Sequence, residues 1–249
     1  MSLAIKVDKV SKKYAKNYKS ALKLLKQDLA NSLFCSKKKF SPKCSKDEFL
    51  VIDNISFEIQ ENERVAILGS NGAGKSTLLK MIFGIILPDD GSITINGIVG
   101  GILELGGGLK KTLTGRENIY YIGSFYNKSK NEIDEIVDEV IEFTGLEEFI
   151  DSPVSFYSSG MKSKLSFALY LYMKPDILVL DEVFAAGDKT FRKKAKEKLL
   201  ELVYSSTTVL VSHDINIVQE IATRTLVLKK GKLIHDGDVD EGIKIYQGL

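Results

Sequence analysis

The sequence has no long uninterrupted run of apolar residues. A helix that crosses a bilayer needs about 18 or more consecutive apolar residues, and no apolar run approaches that length. The first six residues, Met-Ser-Leu-Ala-Ile-Lys, also lack the hydrophobic stretch of a signal peptide. These absences predict a chain that stays in the cytoplasm and does not itself span a membrane.

Cysteine is scarce as well, with two residues. Cys35 and Cys44 lack the CxxC spacing of a metal site and have no neighbouring histidine. A disulfide is not expected in a reducing compartment, so we predict two free thiols and no structural metal. The 249 residues are enough for one large α/β domain with a substantial core.

The net charge of +2 is small, but the positive charge is unevenly distributed. Residues 12–46 contain eleven lysines and a single acid, Asp28. Such a stretch is compatible with binding to nucleic acid, with binding to anionic lipid, or with a solvated insertion that binds neither. Composition alone leaves its partner open.

A glycine-rich segment at residues 69–77 matches the pattern G-x-x-x-x-G-K-[ST] without a mismatch. The apolar residues 65–68 predict a strand before it, and residues 78–83 predict a helix after it. Glycines in such a loop let backbone N–H groups face phosphate oxygens, and the helix N-terminus adds partial positive charge. The segment predicts a nucleoside triphosphate site formed by Gly69, Ser70, Asn71, Gly72, Ala73, Gly74, Lys75, Ser76 and Thr77.

A second apolar strand, at residues 177–180, ends in two carboxylates, Asp181 and Glu182. Its leucine and β-branched residues are typical of a central parallel strand. Ligands of open α/β sheets bind at the carboxyl ends of the strands. Asp181 is therefore placed to hold Mg²⁺, and Glu182 is placed to polarise an attacking water.

Three further segments carry a family resemblance. Residues 157–161, Tyr-Ser-Ser-Gly-Met, open a predicted helix, where small residues and hydroxyl groups suit an anion. Asp188 follows Asp181 by seven residues, and His213 stands in a Ser-His-Asp turn after the apolar strand 208–211. With the loop and strand described above, this order of motifs resembles the ABC-type ATPases over nearly the whole chain.

The resemblance implies an α/β P-loop NTPase fold of the ABC ATPase type, and the order of predicted elements agrees with it. We expect one nucleotide-binding domain over residues 1–249, with a mostly parallel core sheet, a small antiparallel β-subdomain and an inserted helical subdomain at about 114–173. Strands are predicted at 4–7, 49–53, 55–59, 65–68, 93–95, 177–180, 208–211 and 225–229. Helices are predicted at 78–83, 116–125, 130–144, 162–172, 191–204 and 214–222, with a final short one before Leu249.

The family's motifs assign a chemical role to each matching residue, with ATP and Mg²⁺ as the implied cofactors. Lys75 and the loop amides stabilise the phosphates, and Ser76 and Asp181 hold the metal ion. Glu182 acts as general base or orients the water. His213 contacts the γ-phosphate and keeps that water aligned.

Other residues are implied to act between two copies of the chain. In this family two ATPase subunits pair head to tail, so that the signature of one copy closes over the γ-phosphate held by the other. Asp188 would order that interface, and Tyr14 would stack on adenine unless the neighbouring Tyr18 takes its place. The signature residues that act in trans are Ser158, Ser159, Gly160 and Met161.

Departures from the common ABC pattern indicate one group of transport ATPases. The signature is Tyr-Ser-Ser-Gly-Met rather than Leu-Ser-Gly-Gly-Gln, and no glutamine occurs between Gln60 and Gln219. Glu104, in the loop 103–108, is the expected substitute for the glutamine that most members have there. With residues 113–118 and 181–188, these features resemble the ATPase subunits of exporters for O-antigen, capsular polysaccharide or teichoic acid.

This resemblance implies a peripheral subunit on the cytoplasmic side of the inner membrane. Its implied partners are a separate transmembrane permease, a second copy of itself and, through the permease, a lipid-linked glycan. We expect no C-terminal carbohydrate-binding domain of the kind that some O-antigen exporters carry on this subunit. That expectation favours a capsule or teichoic acid system, or an O-antigen system without end recognition.

The lysine-rich insertion at 15–48 contains an apolar face with helical spacing, formed by Tyr18, Leu22, Leu25, Leu29 and Leu33. One hypothesis places this amphipathic helix and its basic loop beneath the membrane channel, near lipid headgroups or a diphosphate. The alternative is a helix that packs on its own domain, followed by a solvated lysine loop.

Two other functions stay open: a soluble ABC ATPase that remodels a cytosolic assembly, and a transport ATPase for a different substrate. A nucleic-acid or ribosome-associated role is disfavoured, because such ABC proteins carry two ATPase units or a long coiled coil. Beyond Tyr14, Tyr18, Phe34 and Phe40, the lysines also lack interleaved aromatic residues that could stack on bases. No nucleic acid partner is therefore expected.

Overall fold

The computed structural model describes residues 2–17, 47–102, 108–181 and 188–249. Its elements fall into two compact units. The first combines Met1–Gln60, Val65–Asn96 and Asp214–Leu249, and the second combines Glu61–Arg64 and Gly97–His213. The insertion predicted at 15–48 lies almost entirely outside the described residues, and so do Glu104 and Glu182.

The first unit contains a three-stranded antiparallel sheet. Its strands, in the order β2-β1-β4, are β1 (Leu3–Ala15), β2 (Glu48–Gln60) and β4 (Asp90–Ile95). The sequence predicts two strands, 49–53 and 55–59, where the structure has the single strand β2. The strand continues through Asn54 because asparagine tolerates a positive φ, here 52°, and the Asn54 N–H donates to the Ser11 Oγ at 3.0 Å.

The first unit contains three further strands, one of which leads into the glycine-rich segment 69–77. These are β3 (Arg64–Gly69), which pairs in parallel with β8 (Arg224–Lys229), and β9 (Lys232–Gly237), which pairs antiparallel with β8. The helices of this unit are α1 (Lys75–Ile82), α7 (Ile215–Ile221) and α8 (Val239–Gln247). β9 is not predicted from the sequence, because this edge strand has no fully buried residue and hence a weak hydrophobic pattern.

The second unit contains three parallel strands in the order β5-β6-β7. They are β5 (Val99–Ile102), β6 (Ile177–Asp181) and β7 (Thr207–Val211), and the last two are almost fully buried. β5 is not predicted, because two of its four residues are glycines. At Gly100 a Cβ atom would lie 2.6 Å from the Tyr126 Oη and 2.8 Å from the Pro175 Cβ, so close packing explains the glycine.

The helices of the second unit are α2 (Gly115–Phe125), α3 (Lys130–Asp134), α4 (Val137–Thr144), α5 (Ser159–Met173) and α6 (Lys189–Ser205), with a 3₁₀ turn at Val154–Phe156. The prediction of one helix over 130–144 is wrong. The Ile136 N–H bonds to the Ile133 O at 3.0 Å, which is a tighter turn than an α-helix makes. This turn separates α3 from α4 and leaves Ile133, Val137 and Val140 all buried.

Within the part of the chain that the structure describes, the pairs β3–β8, β5–β6 and β6–β7 are parallel, β8–β9 is antiparallel, and the three-stranded sheet is antiparallel throughout. Four of the helices lie between β5 and β6 in the chain. The predicted α/β fold with a small antiparallel β-subdomain and inserted helices is therefore confirmed. No described helix is both long and apolar enough to cross a bilayer.

Candidate nucleotide-binding site

The loop between β3 and α1 is shaped by close approach to β2. Gly74 ends the loop with a φ of 108°, a left-handed conformation that disfavours a side chain. A Cβ atom on Gly74 would lie 2.6 Å from the Ile52 Cδ1 and 2.9 Å from the Val51 O. Glycine is therefore required at this position both for backbone conformation and for space.

Lys75 begins α1, and its side chain folds back into the loop. Its ammonium donates to the Gly69 O at 2.7 Å and to the Ser70 O at 3.2 Å, and only 8% of the residue is exposed. These carbonyls hold the positive charge inside the loop. A phosphate oxygen is a stronger acceptor because it is charged, so the arrangement fits a triphosphate that takes over these contacts.

The start of α1 suits an anion. In this helix, which the structure describes in full, the first turn carries no acidic residue and the N-terminus has no side-chain cap. Its partial positive charge is therefore available to a ligand. The exposed Ser76 hydroxyl is an oxygen ligand of the kind that Mg²⁺ accepts. The other exposed loop residues are Ser70, Asn71 and Gly72, while Ala73 is buried and Thr77 is half-buried.

A hairpin that the sequence analysis did not connect with the loop supports it. Gly231, between β8 and β9, donates its N–H to the Ala73 O at 3.0 Å, and its O accepts from the Asp53 N–H at 2.9 Å. The φ of Gly231 is 79°, and a Cβ atom there would lie 2.5 Å from the Val51 O. Gly231 thereby joins the loop to β2. Its one trace in the sequence is a Lys-Gly pair between two strand-like segments.

Tyr14 lies near the end of β1, half-buried beside a more exposed ring. It pairs across the strands with Phe49, and their ring centroids are 6.1 Å apart with an interplanar angle of 32°. Phe49 is 44% exposed, so the two rings form a small aromatic surface. Stacking of Tyr14 on adenine stays a prediction, and its competitor Tyr18 lies outside the described residues.

Asp181 and His213 follow neighbouring parallel strands of the second unit. Asp181 is the half-buried last residue of β6 and is in register with Val211, the last residue of β7. His213 follows two residues later and is exposed, whereas Ser212 is buried. The carboxyl ends of parallel strands meet at one edge of a sheet, so the carboxylate and the imidazole belong to the same edge.

The signature residues form the start of α5. Ser158 caps this helix with extended backbone, and its Oγ accepts from the Met161 N–H at 3.2 Å. The cap explains why α5 begins at Ser159 rather than at the predicted residue 162, since it supplies a partner for a first-turn N–H group. Ser158, Ser159 and Gly160 are exposed, and Met161 is half-buried.

These signature residues line an open cavity of about 500 Å³ in the second unit, here called the signature cleft. One wall is the start of α5, and the opposite wall is the segment that follows α4. The residues that line the cleft are Gly145, Leu146, Phe149, Ser158, Ser159, Gly160, Met161, Ser163, Lys164 and Asp188. The predicted signature and the predicted Asp188 therefore belong to one cavity.

An ion pair joins two helices in the signature cleft. The Lys164 Nζ lies 2.6 Å from the Asp188 Oδ2 and 5.5 Å from the centroid of the Phe191 ring. Asp188 also caps α6, because its Oδ1 accepts from the Phe191 N–H at 2.9 Å. The Lys164 hydrogen bond, followed by the Phe191 N–H, lowers the pKa of Asp188 from its ordinary 3.8 to about 2. Lys164 was not predicted, because its one signal in the sequence is a basic residue about a turn after the signature.

The structure thus gathers the predicted site residues into two groups. The phosphate-binding loop, residues 69–77, lies in the first unit together with Tyr14. Asp181, His213, Asp188 and the signature lie in the second unit. Glu104 and Glu182 lie outside the described residues, and every residue role assigned above stays a prediction.

Comparison with known proteins identifies the family. The family model described as ABC transporter matches residues 52–185. Over 201 residues the chain is 41% identical to the O-antigen export system ATP-binding protein RfbB of Klebsiella pneumoniae, an alignment that covers 80% of this chain and 82% of that protein. Over 248 residues it is 36% identical to the teichoic acids export ATP-binding protein TagH of Staphylococcus haemolyticus, covering 99% of this chain and 89% of that protein.

A solved structure supports the same conclusion for the fold. The structure of an ATP-binding subunit of an ABC transporter superposes with a TM-score of 0.71 at 22% identity, covering 99% of this chain and 94% of that one. The glycine-rich loop between a strand and a helix is the phosphate-binding motif of P-loop NTPases. The chain belongs to the ABC transporter family. The predicted resemblance to polysaccharide export ATPases is confirmed, and membership of the family makes the chain a nucleotide-binding ATPase.

Replacement of Gly231 by alanine should weaken ATP binding although Gly231 is distant in sequence from the loop. A side chain there collides with the Val51 O and displaces the N–H that holds the Ala73 O. Gly84→Ala is the matched control, because Gly84 also has a positive φ, 70°, but a Cβ atom there meets nothing within 4 Å. The control should lose only about 1–2 kcal/mol of stability to backbone strain. Urea unfolding measures the loss of stability, and titration with a fluorescent ATP analogue measures the loss of ATP affinity. An equal loss of ATP affinity in the two variants would show that the Gly231 hydrogen bond does not support the loop.

Replacement of Lys164 by methionine should raise the pKa of Asp188 from about 2 towards 3.8, because the largest cause of its depression is removed. The pKa of Asp188 is lower in the folded chain than its unfolded value of about 3.9. Ionised Asp188 therefore stabilises the fold at a pH above about 3.9, and this contribution is lost as the pH falls towards 2. The stability advantage of the wild type should therefore shrink between about pH 4 and pH 2. Carboxyl-carbon NMR titration follows the pKa, and urea unfolding follows the stability. Lys162→Met, on the same helix, is the control and should leave the Asp188 titration unchanged.

Proposed function

We propose that this chain is the ATP-hydrolysing subunit of an exporter that moves a lipid-linked polysaccharide across the cytoplasmic membrane. The observation that supports this best is the 36% identity to a teichoic acid export ATPase over 248 residues, which leaves almost no part of the chain unmatched. The 41% identity to an O-antigen export ATPase points to the same class of cargo. Both relatives are named for export of O-antigen or teichoic acids, which favours this class of cargo over other transport substrates.

In this proposal the phosphate-binding loop holds ATP. Lys75 leaves its carbonyl partners for the β- and γ-phosphates, and the loop N–H groups and the first turn of α1 bind the remaining oxygens. Tyr14 supplies an aromatic face to adenine. Nothing in that face distinguishes strongly between ATP and GTP, because every base has a π-face.

Mg²⁺ fits the oxygen donors that the chain offers. Ser76 supplies a hydroxyl and Asp181 a carboxylate, both hard ligands of the kind that this ion prefers. When bound, Mg²⁺ neutralises charge on the phosphates. Glu182 then accepts a proton from the attacking water or orients it, and His213 holds that water against the γ-phosphate.

A second copy of the chain completes the arrangement. The signature cleft is open, and it presents exposed Ser158, Ser159 and Gly160 at the start of a 15-residue helix. We infer that this helix N-terminus closes on the γ-phosphate held by the partner copy, with Met161 beside it and the ion-paired Asp188 at the interface. ATP then holds the dimer together, and hydrolysis releases it.

The remaining partners follow from the export role. A transmembrane permease carries the glycan, and this subunit binds it from the cytoplasmic side of the membrane. Glu104 takes the place of the glutamine that most relatives use in the loop after β5. The lysine-rich insertion at 15–48 contacts the permease, the headgroups or the diphosphate of the glycan carrier.

Replacement of Glu182 by glutamine in the native host tests the export role. The expected result is glycan trapped inside the cell on its lipid carrier, with the variant still at the membrane, because the amide cannot accept the proton. Glu201→Gln, which changes an exposed carboxylate on α6, should leave surface glycan normal. Normal surface glycan with the Glu182 variant would sink the proposal and favour an ABC ATPase that remodels a cytosolic assembly.

Mixing two inactive variants tests whether the signature acts in trans. Lys75→Ala disables the loop, and Ser159→Arg fills the start of α5 with a bulky cation. Each alone should hydrolyse little ATP, but a mixed dimer contains one intact loop that faces one intact signature. The mixture should therefore hydrolyse ATP well above either variant alone in a phosphate-release assay. A mixture of Lys75→Ala with the doubly substituted chain is the control, and absence of rescue in the first mixture would show that the signature does not act across copies.

A further inference from the structure

Tyr157 comes directly before the signature serines, and its side chain connects the two walls of the signature cleft. Only 3% of the residue is exposed, and its Oη donates to the Phe149 O at 2.8 Å. Phe149 lies on one wall and Ser158 on the other. Burial raises the pKa of Tyr157, so the hydroxyl keeps its proton and remains a donor. The Tyr157 side chain therefore joins the backbone of the Phe149 wall to the residue directly before Ser158, the cap of α5.

Gly115, at the start of α2, leaves the space that the Tyr157 hydroxyl occupies. A Cβ atom on Gly115 would overlap the Tyr157 Oη and would lie 2.8 Å from the Ile150 Cδ1 and 3.0 Å from the Ile150 O. The φ of Gly115 is not positive, so its backbone conformation does not demand glycine. Space demands it, first for the Tyr157 hydroxyl and then for Ile150. Gly115 and Tyr157 are thus a matched pair, from two segments that the sequence analysis linked only by family resemblance.

Backbone hydrogen bonds fix the surroundings of this pair. The segment before the signature is bound to the loop before α2, through Val154 N–H to the Leu113 O and Ser155 N–H to the Lys111 O, both at 2.9 Å. That loop is held in turn by Asn118, which is fully buried and accepts from the Lys110 N–H at 2.7 Å. The Asn118 amide also donates to the carbonyls of Lys110, Leu113 and Thr114. Residues 113–118 are therefore a rigid support for the signature.

We propose that Tyr157 is a positioning residue of the ATPase, whose hydroxyl sets the distance between the Phe149 wall and the signature serines, and that Gly115 is glycine to make room for it. The inference rests on the proposed function, in which the signature cleft closes on the ATP of a second copy. Tyr157 does not touch the nucleotide in this scheme. It acts through Ser158, and a small displacement of catalytic groups is costly because closure requires aligned donors.

Kinetics of the purified full-length chain carrying Tyr157→Phe test the role of the hydroxyl. The expected kcat is lower by roughly threefold to tenfold, the worth of one hydrogen bond. The KM and the affinity for a fluorescent ATP analogue should not change, because the phosphate-binding loop of the same chain is untouched. Tyr120→Phe is the matched control, since it removes another tyrosine hydrogen bond of the second unit, from Tyr120 to the Asp134 Oδ1 at 2.5 Å, away from the cleft. The control should keep the wild-type kcat.

A double-mutant cycle tests the matched pair. Gly115→Ala alone should lower kcat on the order of tenfold, because its methyl group displaces the Tyr157 hydroxyl. In the Tyr157→Phe background the same alanine should cost only about threefold, since the closest colliding atom is gone and the contacts with Ile150 remain. Equal losses in both backgrounds would overturn the pairing of the two residues.

The outcomes also separate a positioning role from simple packing. If Tyr157→Phe keeps the wild-type kcat and shows only a lower urea midpoint, the positioning role is overturned. The proposed function is unaffected by that result as long as the wild type hydrolyses ATP. An inactive wild-type chain would overturn both. Loss of kcat at constant KM, present in Tyr157→Phe and absent in Tyr120→Phe, would support the proposal.

Discussion

Close approach between backbones is the constraint on which the phosphate-binding loop depends. β2 comes so near to the loop that Gly74 has no room for a methyl group, and the hairpin at Gly231 reaches the Ala73 carbonyl. Main-chain atoms therefore contact the loop from two sides. Lys75 remains inside it on two carbonyls. Because the loop is already ordered, little conformational entropy is lost when ATP binds.

In the second unit, three contacts hold the N-terminus of α5 in place. The Ser158 cap starts α5, the Lys164–Asp188 ion pair ties α5 to α6, and Tyr157 ties α5 to the wall opposite. The ion pair is partly exposed, so its contribution to stability is small. Its geometric role is larger, because Asp188 is at once the partner of Lys164 and the cap of α6. Asp188 thereby contacts both helices.

Local motifs were predictable from the sequence, and contacts between distant segments were not. The loop at 69–77, the strand before Asp181 and the turn at His213 each carry their information in a few consecutive residues, and the structure has these elements where they were expected. β5 and β9 escaped prediction because one is half glycine and the other is an edge strand. Gly231, Lys164 and Tyr157 matter through partners far along the chain, and no periodicity reports such contacts. Glu104 and Glu182 lie outside the described residues.

The fit between Gly115 and Tyr157 has an evolutionary consequence. A lineage that first loses the tyrosine hydroxyl removes the closest obstacle at position 115, so that a methyl group there then meets only Ile150. The reverse order passes through a chain in which a methyl group and a hydroxyl compete for one volume. Alanine at 115 should therefore be rarer in relatives with tyrosine at 157 than in relatives with phenylalanine there. The two motifs that mark this subgroup would then diverge together, as one inherited unit.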